Sequence, residues 1–305
     1  MANTEENKII GSARGASNDP HEASAEEYWT EERRAAAKPV PTPKHHTPAT
    51  ETHPLPKGEP GHTPGGPGEE KNPTTHLEPH GTGGHAVPSP LNYPYRTCGK
   101  IYFNQGSGGF SGSAALIAPN VLLTAGHCVI ESGKWSTNMV FYPSYPTRGS
   151  SDPFYKFNYS YEACWTAWSQ NSNSAYDYGM IWIDAGPGNS LGWLGTLWNA
   201  PGNLTCEAVG YPALPNPPFN GGAMEHSVGQ IVGGSGSGTV GLNNDNMEQG
   251  SSGGPWITAW QEPTRTHAAG IQSFHTSPGA TTEYGPYFTQ DLNNLFNWIS
   301  NPANR

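Results

Sequence analysis

An all-β fold is predicted for this chain: two small antiparallel β-barrels closed by a C-terminal helix and preceded by a disordered N-terminal segment. Three observations predict it. The 305 residues include 39 Gly and 30 Pro, with only 13% charged residues, a balance that suits many turns and disfavours helical bundles. From Cys98 onward, short apolar segments recur between Gly, Pro and Asn, as in antiparallel sandwiches and barrels. Helical periodicity is convincing in one place, near the C-terminus.

Taken in order, "EASAEEYWTEERRAAAK" (22–38) is rich in Ala, Glu and Arg and predicts a short helix. From Lys38 to Tyr95 the chain is dominated by Pro, Gly, His and Thr, with almost no aliphatic residues. Such a stretch cannot bury enough apolar area to offset the entropy of ordering, so it is expected to be extended and mobile. Residues 1–95 are therefore read as a Pro/His-rich disordered pro-segment or linker, and 96–305 as the folded part. "GKIYFNQ" (99–105) alternates as a half-buried strand does. "GSAALIAPNVLLTAGHCV" (112–129) holds two apolar runs broken by the turn signal Ala-Pro-Asn. "YGMIWIDAG", "LTCEAVGYP", "HSVGQIVGG", "GGPWITAW" and "HAAGIQSF" are further short strands by the same criteria. In "TQDLNNLFNWIS", Leu292, Leu295, Phe296 and Ile299 fall at i, i+3, i+4 and i+7, with Thr289 placed to cap the helix.

Charge and composition narrow the partners. Lys and Arg number 15 against 25 Asp and Glu, a formal net charge of −10; phosphate binding needs clustered cations, so no nucleic-acid partner is expected. No run of 18 apolar residues occurs, so no membrane span is expected. Eight of the twelve histidines precede residue 95, but they follow no ligand spacing, and no metal and no cofactor are expected. The first residues lack an apolar h-region, so no secretory signal is visible. Cys98, Cys128, Cys164 and Cys206 fit two disulfides, which would imply an oxidising compartment. Reduced, buried thiols in a cytosolic protein are the alternative. An extracellular location is the favoured expectation.

Chemistry-bearing residues fall in the order His, Asp, Ser. "LLTAGHCV" ends an apolar strand at His127, "SAYDYGMIWI" sets Asp177 just before another, and "NMEQGSSGGPW" places Ser251 and Ser252 between glycines. The separations are 50 positions (127 to 177) and 75 (177 to 252). Acyl transfer needs these groups. A serine hydroxyl is a poor nucleophile until an imidazole takes its proton, and a buried carboxylate fixes the tautomer of that imidazole. Glycines let backbone N–H groups converge on the oxyanion.

These segments resemble the chymotrypsin-like (trypsin-fold) serine peptidases over roughly residues 98–305: "TAGHC" (124–128) matches the family's histidine motif, and "GSSGGP" (250–255) its serine motif. The resemblance implies two antiparallel six-stranded barrels, with His127 as base, Asp177 as its orienter and Ser252 as nucleophile. It also implies Gly250 and Ser252 as oxyanion donors, and a monomeric serine endopeptidase acting on protein or peptide substrates. "DNMEQGSSGGPW" is most similar to the bacterial and fungal glutamyl endopeptidase-like branch.

Departures from the family pattern carry information. The position before the nucleophile, an aspartate in trypsin, is Ser251, so a trypsin-type activation switch is unavailable and removal of a pro-segment would act by uncovering the cleft. The implied substrate pocket comprises Asn246, Met247, Gln272, Ser273 and His275. Asn246 supplies no anion for Lys or Arg, although Asp245 is adjacent. Met247 and Gln272 replace the residues by which glutamyl endopeptidases bind glutamate. These exchanges predict an apolar pocket with one amide and an uncharged residue before the scissile bond. His275, turned inward, would restore cleavage after Glu. Cys128 lacks its usual partner, because that position is Gly112; Cys98 is the candidate partner, leaving Cys164 with Cys206, among three possible connectivities. A catalytically silent binding protein on the same fold, or an interaction protein using its histidine-rich tail, are the rival readings.

Overall fold

The computed structural model describes residues 7–13, 24–43, 53–55, 57–68, 83–146, 152–261 and 265–305. Two nine-stranded sheets form the body. The first runs, by neighbour, Ile9–Ala13, Tyr161–Trp165, Gly179–Trp182, Val121–Thr124, Gly108–Ala118, Cys98–Gln105, Thr137–Pro143 and Phe157–Asn158, with Lys38–Pro39 added to the strand Gly108–Ala118. The second runs Thr282–Pro286, Thr239–Asn243, Glu225–Gly233, Thr205–Gly210, Pro255–Ala259, Arg265–Ile271, Gly195–Trp198 and Gly61–His62, with His85–Ala86 added to Glu225–Gly233. Pairing is antiparallel except at Lys38–Pro39 and between Gly195–Trp198 and Arg265–Ile271. The all-β expectation with a closing C-terminal helix holds; where six strands per barrel were expected, each sheet has nine. Each sheet draws two of its nine strands from the first 95 residues, leaving seven from the rest of the chain.

Alternation explains which strands carry the core. In Cys98–Gln105, Ile101 and Phe103 are buried in the main core beside Leu116, Leu122, Met180 and Ile181. Val209, Ile257 and Ile271 of the second sheet join that same cluster, so the two sheets meet over shared apolar surface. Leu197, Cys206, Phe219, Leu242, Met247 and Trp256 form a second core within the second sheet. The helix Gln290–Ser300 closes the molecule: Thr289 caps it by accepting from the Asp291 N–H, and Leu292, Leu295 and Ile299 are buried, as their spacing predicts. Among the described residues no helix is long and apolar enough to cross a membrane.

Apart from two short helices, the N-terminal segment is largely extended where it is described, and there it is also docked. Extended backbone can join a sheet edge by its N–H and C=O groups alone, whatever its side chains. Ile9–Ala13 pairs along its whole length with Tyr161–Trp165. The predicted helix is two short ones, Ala25–Tyr28 and Glu31–Ala36, capped by Ser24 and Thr30. They part at Trp29, whose ring is buried against Tyr102 and Val140 while its Nε1 donates to the Asn138 carbonyl at 2.7 Å. Of the Pro/His-rich stretch, residues 44–52, 56 and 69–82 lie outside the described residues.

The disulfide expectation is corrected. Cys98, Cys128, Cys164 and Cys206 are all free thiols, and all are buried. Cys164 belongs to the main core and Cys206 to the separate core of the second sheet, so that proposed pair is divided between two packing units. Burial pushes the Cys98 thiol up to about 12, which keeps it protonated and unreactive.

Candidate active site

The strand Val121–Thr124 ends in a single helical turn, Gly126–Val129, which carries His127. Asp177 follows the 3-10 turn Ser174–Tyr176 and precedes the strand Gly179–Trp182, which pairs with Val121–Thr124. That pairing brings the two residues together. Asp177 Oδ1 accepts the His127 backbone N–H at 2.8 Å, and Oδ2 lies 2.8 Å from His127 Nδ1. A carboxylate only accepts, so Nδ1 carries the imidazole proton and Nε2 presents a lone pair. The Ser273 hydroxyl donates to Asp177 Oδ2 as well. Ser273, assigned from the sequence to a substrate pocket, is thus a partner of the carboxylate. His127 and Asp177 are 2% and 0% exposed, and Gln105 Nε2 and the Trp168 ring brace the histidine from outside, by the His127 carbonyl (2.7 Å) and ring packing.

Ser252 stands in a turn that only glycines permit. Gly250 has φ +101° and Gly253 φ +86°; a Cβ at Gly253 would meet Thr124 Oγ1 at 2.2 Å, far inside van der Waals contact. The turn is held from both ends by Ser113: its N–H donates to the Ser252 carbonyl (2.8 Å) and its hydroxyl to the Gly250 carbonyl (2.9 Å). Cys128 Sγ lies 3.9 Å from the same Ser252 carbonyl, so the turn rests against the histidine's helix. The N–H groups of Ser251, Gly253 and Gly254 are spent on backbone carbonyls. Those of Gly250 and Ser252 have no such partner among the described residues. Ser252 Oγ and His127 Nε2 are both buried and, among the described residues, unpartnered. Ser251 is different: its hydroxyl donates back to the carbonyls of Met247 and Glu248.

The remaining pocket residues do not form an open apolar cup. The Asn246 side chain accepts the Gly84 N–H at 2.8 Å, from the docked N-terminal segment. Met247 is 0% exposed and sits in the second core with Phe219. Gln272 Nε2 donates to Asp245 Oδ2 (2.9 Å) and its Oε1 faces Trp256 Nε1. His275 spans the space between two walls: Nδ1 lies 2.5 Å from Glu283 Oε2, and Nε2 lies 3.3 Å from the Asp245 carbonyl. Burial alone would lower its pKa, but the Glu283 carboxylate outweighs burial and raises His275 to about 9. Burial and the Glu283 charge push Asp245 up to about 7. Glu283 went unseen in the sequence because "TTEYGPY" gives no sign of which strand it would face. Ser113 went unseen as one small residue among many in "GFSGSAAL".

The family described as Trypsin matches residues 92–299. Among curated proteins, a Bacillus licheniformis glutamyl endopeptidase is 25% identical over 219 residues, covering 68% of this chain and 64% of its own length. A Bacillus subtilis protein named extracellular metalloprotease is 29% identical over 132 residues, 41% of this chain and 42% of its own. The chain thus spans less than two-thirds of the length of either relative. Among solved structures, the protease Anisep from Arthrobacter nicotinovorans is 27% identical with a TM-score of 0.59, covering 66% of this chain and 94% of that one.

Proposed function

We propose, for a chain that belongs to the trypsin family, a serine endopeptidase working through an acyl-enzyme on Ser252. The observation that carries this is the Asp177–His127 pair, with Nδ1 committed to the carboxylate at 2.8 Å, and with His127 Nε2 and the Ser252 hydroxyl each buried and, among the described residues, unpartnered. His127 Nε2 takes the Ser252 proton as Oγ attacks the scissile carbonyl; the Gly250 and Ser252 N–H groups hold the resulting oxyanion. The imidazolium then gives its proton to the leaving amine, and water repeats the sequence to release the acid. A fluorophosphonate probe tests this reading. Labelling and peptide cleavage are expected in wild type and Ser251→Ala and absent in Ser252→Ala; equal labelling of Ser252→Ala would sink it.

The residue before the scissile bond is proposed to be uncharged. His275 is held between the Glu283 carboxylate and the Asp245 backbone carbonyl, and the Asp245 carboxylate accepts from Gln272 and the Met247 N–H, so an unpaired ion brought into their midst would lose hydration without gaining a free partner. A second reading, cleavage after Glu, is favoured by the raised pKa of His275, which keeps that ring cationic. Two peptides differing only in Glu against Leu at that residue decide between them. A preference for Glu that disappears in His275→Ala would overturn the first. An extracellular destination is proposed as well, and fractionation of the producing cells' culture tests it.

A further inference from the structure

Lys100 is a buried cation that forms no ion pair among the described residues. It lies on the strand Cys98–Gln105 of the first sheet and is 7% exposed. Its ammonium faces the rings of Tyr102 and Tyr145, 5.1 and 5.2 Å from their centroids, which offset part of the lost hydration. Burial, with the Arg34 charge adding to it, still lowers its pKa to about 8. An apolar side chain of the same length would fill this space without that cost, so the amine itself has a use.

That use is at its tip. Nζ donates to the Gly221 carbonyl at 2.7 Å, and this bond crosses to the loop 211–222, which follows the strand Thr205–Gly210 of the second sheet. The loop closes on itself, because the Gly221 N–H donates to the Pro212 carbonyl at 2.8 Å. Its first residues form the wall behind Gly250. The Tyr211 N–H donates to the Ser113 hydroxyl (3.0 Å), which donates in turn to the Gly250 carbonyl (2.9 Å). The Ala213 N–H donates to the Gln249 carbonyl at 2.8 Å. A Cβ on Gly250 would fall 2.6 Å from the Tyr211 carbonyl oxygen and 3.0 Å from the Ala213 nitrogen, so the wall touches the turn.

The Gln249 carbonyl and the Gly250 N–H belong to one planar peptide unit, and they point in opposite directions across it. Whatever holds the carbonyl therefore aims the N–H. We propose that Lys100 is a positioning residue for the reaction: by holding Gly221 it keeps the loop 211–222 against the Gln249–Gly250 peptide, and so keeps the Gly250 N–H aimed at the oxyanion. The inference rests on the serine endopeptidase reading above.

Full-length wild type, Lys100→Met and Gly221→Ala are compared in kcat and KM on one peptide. Lys100→Met removes the donor and keeps the apolar stem. Gly221→Ala disturbs the same bond from the loop, since its Cβ would fall 3.3 Å from Lys100 Nζ at a φ of +71°, and it decides alone if Lys100→Met does not fold. In each, kcat is expected to fall by about 10- to 100-fold with KM little changed. The double variant is expected to lose no more than the worse single one, because both break one bond. Two inhibitors give the second readout: a peptide trifluoromethyl ketone, which adds to Ser252 and forms an oxyanion, and the matching alcohol, which does not. The ketone is expected to weaken in step with kcat and the alcohol to bind as before. An unmoved kcat, or equal weakening of both inhibitors, overturns the role of Lys100. A wild-type chain that neither cleaves nor takes the fluorophosphonate overturns the enzyme reading itself, which separates the two failures.

Discussion

Asp177→Asn is expected to cost about four orders of magnitude in turnover while leaving the protein folded. Three donors converge on this carboxylate: the His127 backbone N–H at Oδ1, and His127 Nδ1 with the Ser273 hydroxyl at Oδ2. An asparagine offers one oxygen and one NH2. If the NH2 takes the Oδ2 place, it donates to Nδ1, and the imidazole proton moves to Nε2. The base then cannot receive the Ser252 proton, a change worth about 10⁴ in kcat, or about 5 kcal/mol. If the NH2 takes the Oδ1 place instead, it meets the His127 backbone N–H, and that buried donor loses its partner at about 1–3 kcal/mol. Either placement removes the charge that stabilises the imidazolium. Steady-state kcat and KM on one peptide, with a thermal melt beside them, separate these terms: kcat collapses, KM changes little, and the melting temperature falls modestly. Near-full turnover would refute the assignment outright. Asp184, the other carboxylate nearby in sequence, accepts from Trp182 Nε1 toward solvent and is not placed to substitute.

Ser273→Ala removes only the third donor to Asp177 and is expected to lower kcat several-fold with KM unchanged; an unaltered kcat would show the hydroxyl to be idle. Gly112→Cys should oxidise with Cys128, since a Cβ at position 112 falls 3.0 Å from Cys128 Sγ; closing the 16-residue loop (112 to 128) is worth about 3 kcal/mol, and a thiol count that stays at five under oxidant would contradict it. Trp29→Ala, by emptying a site 2% exposed, is expected to destabilise the full chain by about 3–5 kcal/mol, read as the denaturant midpoint. His275 and Asp245 are both raised in the fold, to about 9 and about 7, so both favour the folded state when protonated, and stability should fall as pH rises from about 4 to 9. In His275→Gln/Glu283→Gln the part of that fall above pH 6.5 should vanish, and its persistence in thermal melts would place the titration elsewhere.

Much of the site was legible because its chemistry is local. His127 and Ser252 each sit in a short motif whose neighbours have a mechanical reason to be there: Gly250 and Gly253 adopt positive φ, which side chains other than glycine resist. What escaped the sequence is long-range. Gln272 reads as a neutral amide lining a pocket, but it is fastened to Asp245 across 27 positions. His275 reads as a switch for glutamate, yet Glu283, on the strand beside it, already holds it. The docking of the described parts of the N-terminal segment was not legible for a different reason. Composition measures the apolar area a segment can bury by itself, whereas Lys38–Pro39, Gly61–His62 and His85–Ala86 pair with strands of the two sheets, where the partner already supplies the ordered backbone. A few anchors suffice for the rest, and Trp29 and Val40 each occupy a slot in a core the body leaves open. Cysteine arithmetic failed because it counts thiols without knowing which core each one enters.

The pocket proposed for the residue before the scissile bond has a consequence for selectivity. On the acyl side, the space between Asp245 and Glu283 is spanned by the His275 ring, and Met247 is turned into the core. A large side chain placed before the scissile bond would have to displace a buried ion pair, and leaving one partner of such a pair unmatched costs about 3–5 kcal/mol. On that reading, a peptide library should show small uncharged residues before the cut. A library that instead resolved large or charged residues there would refute the proposed pocket.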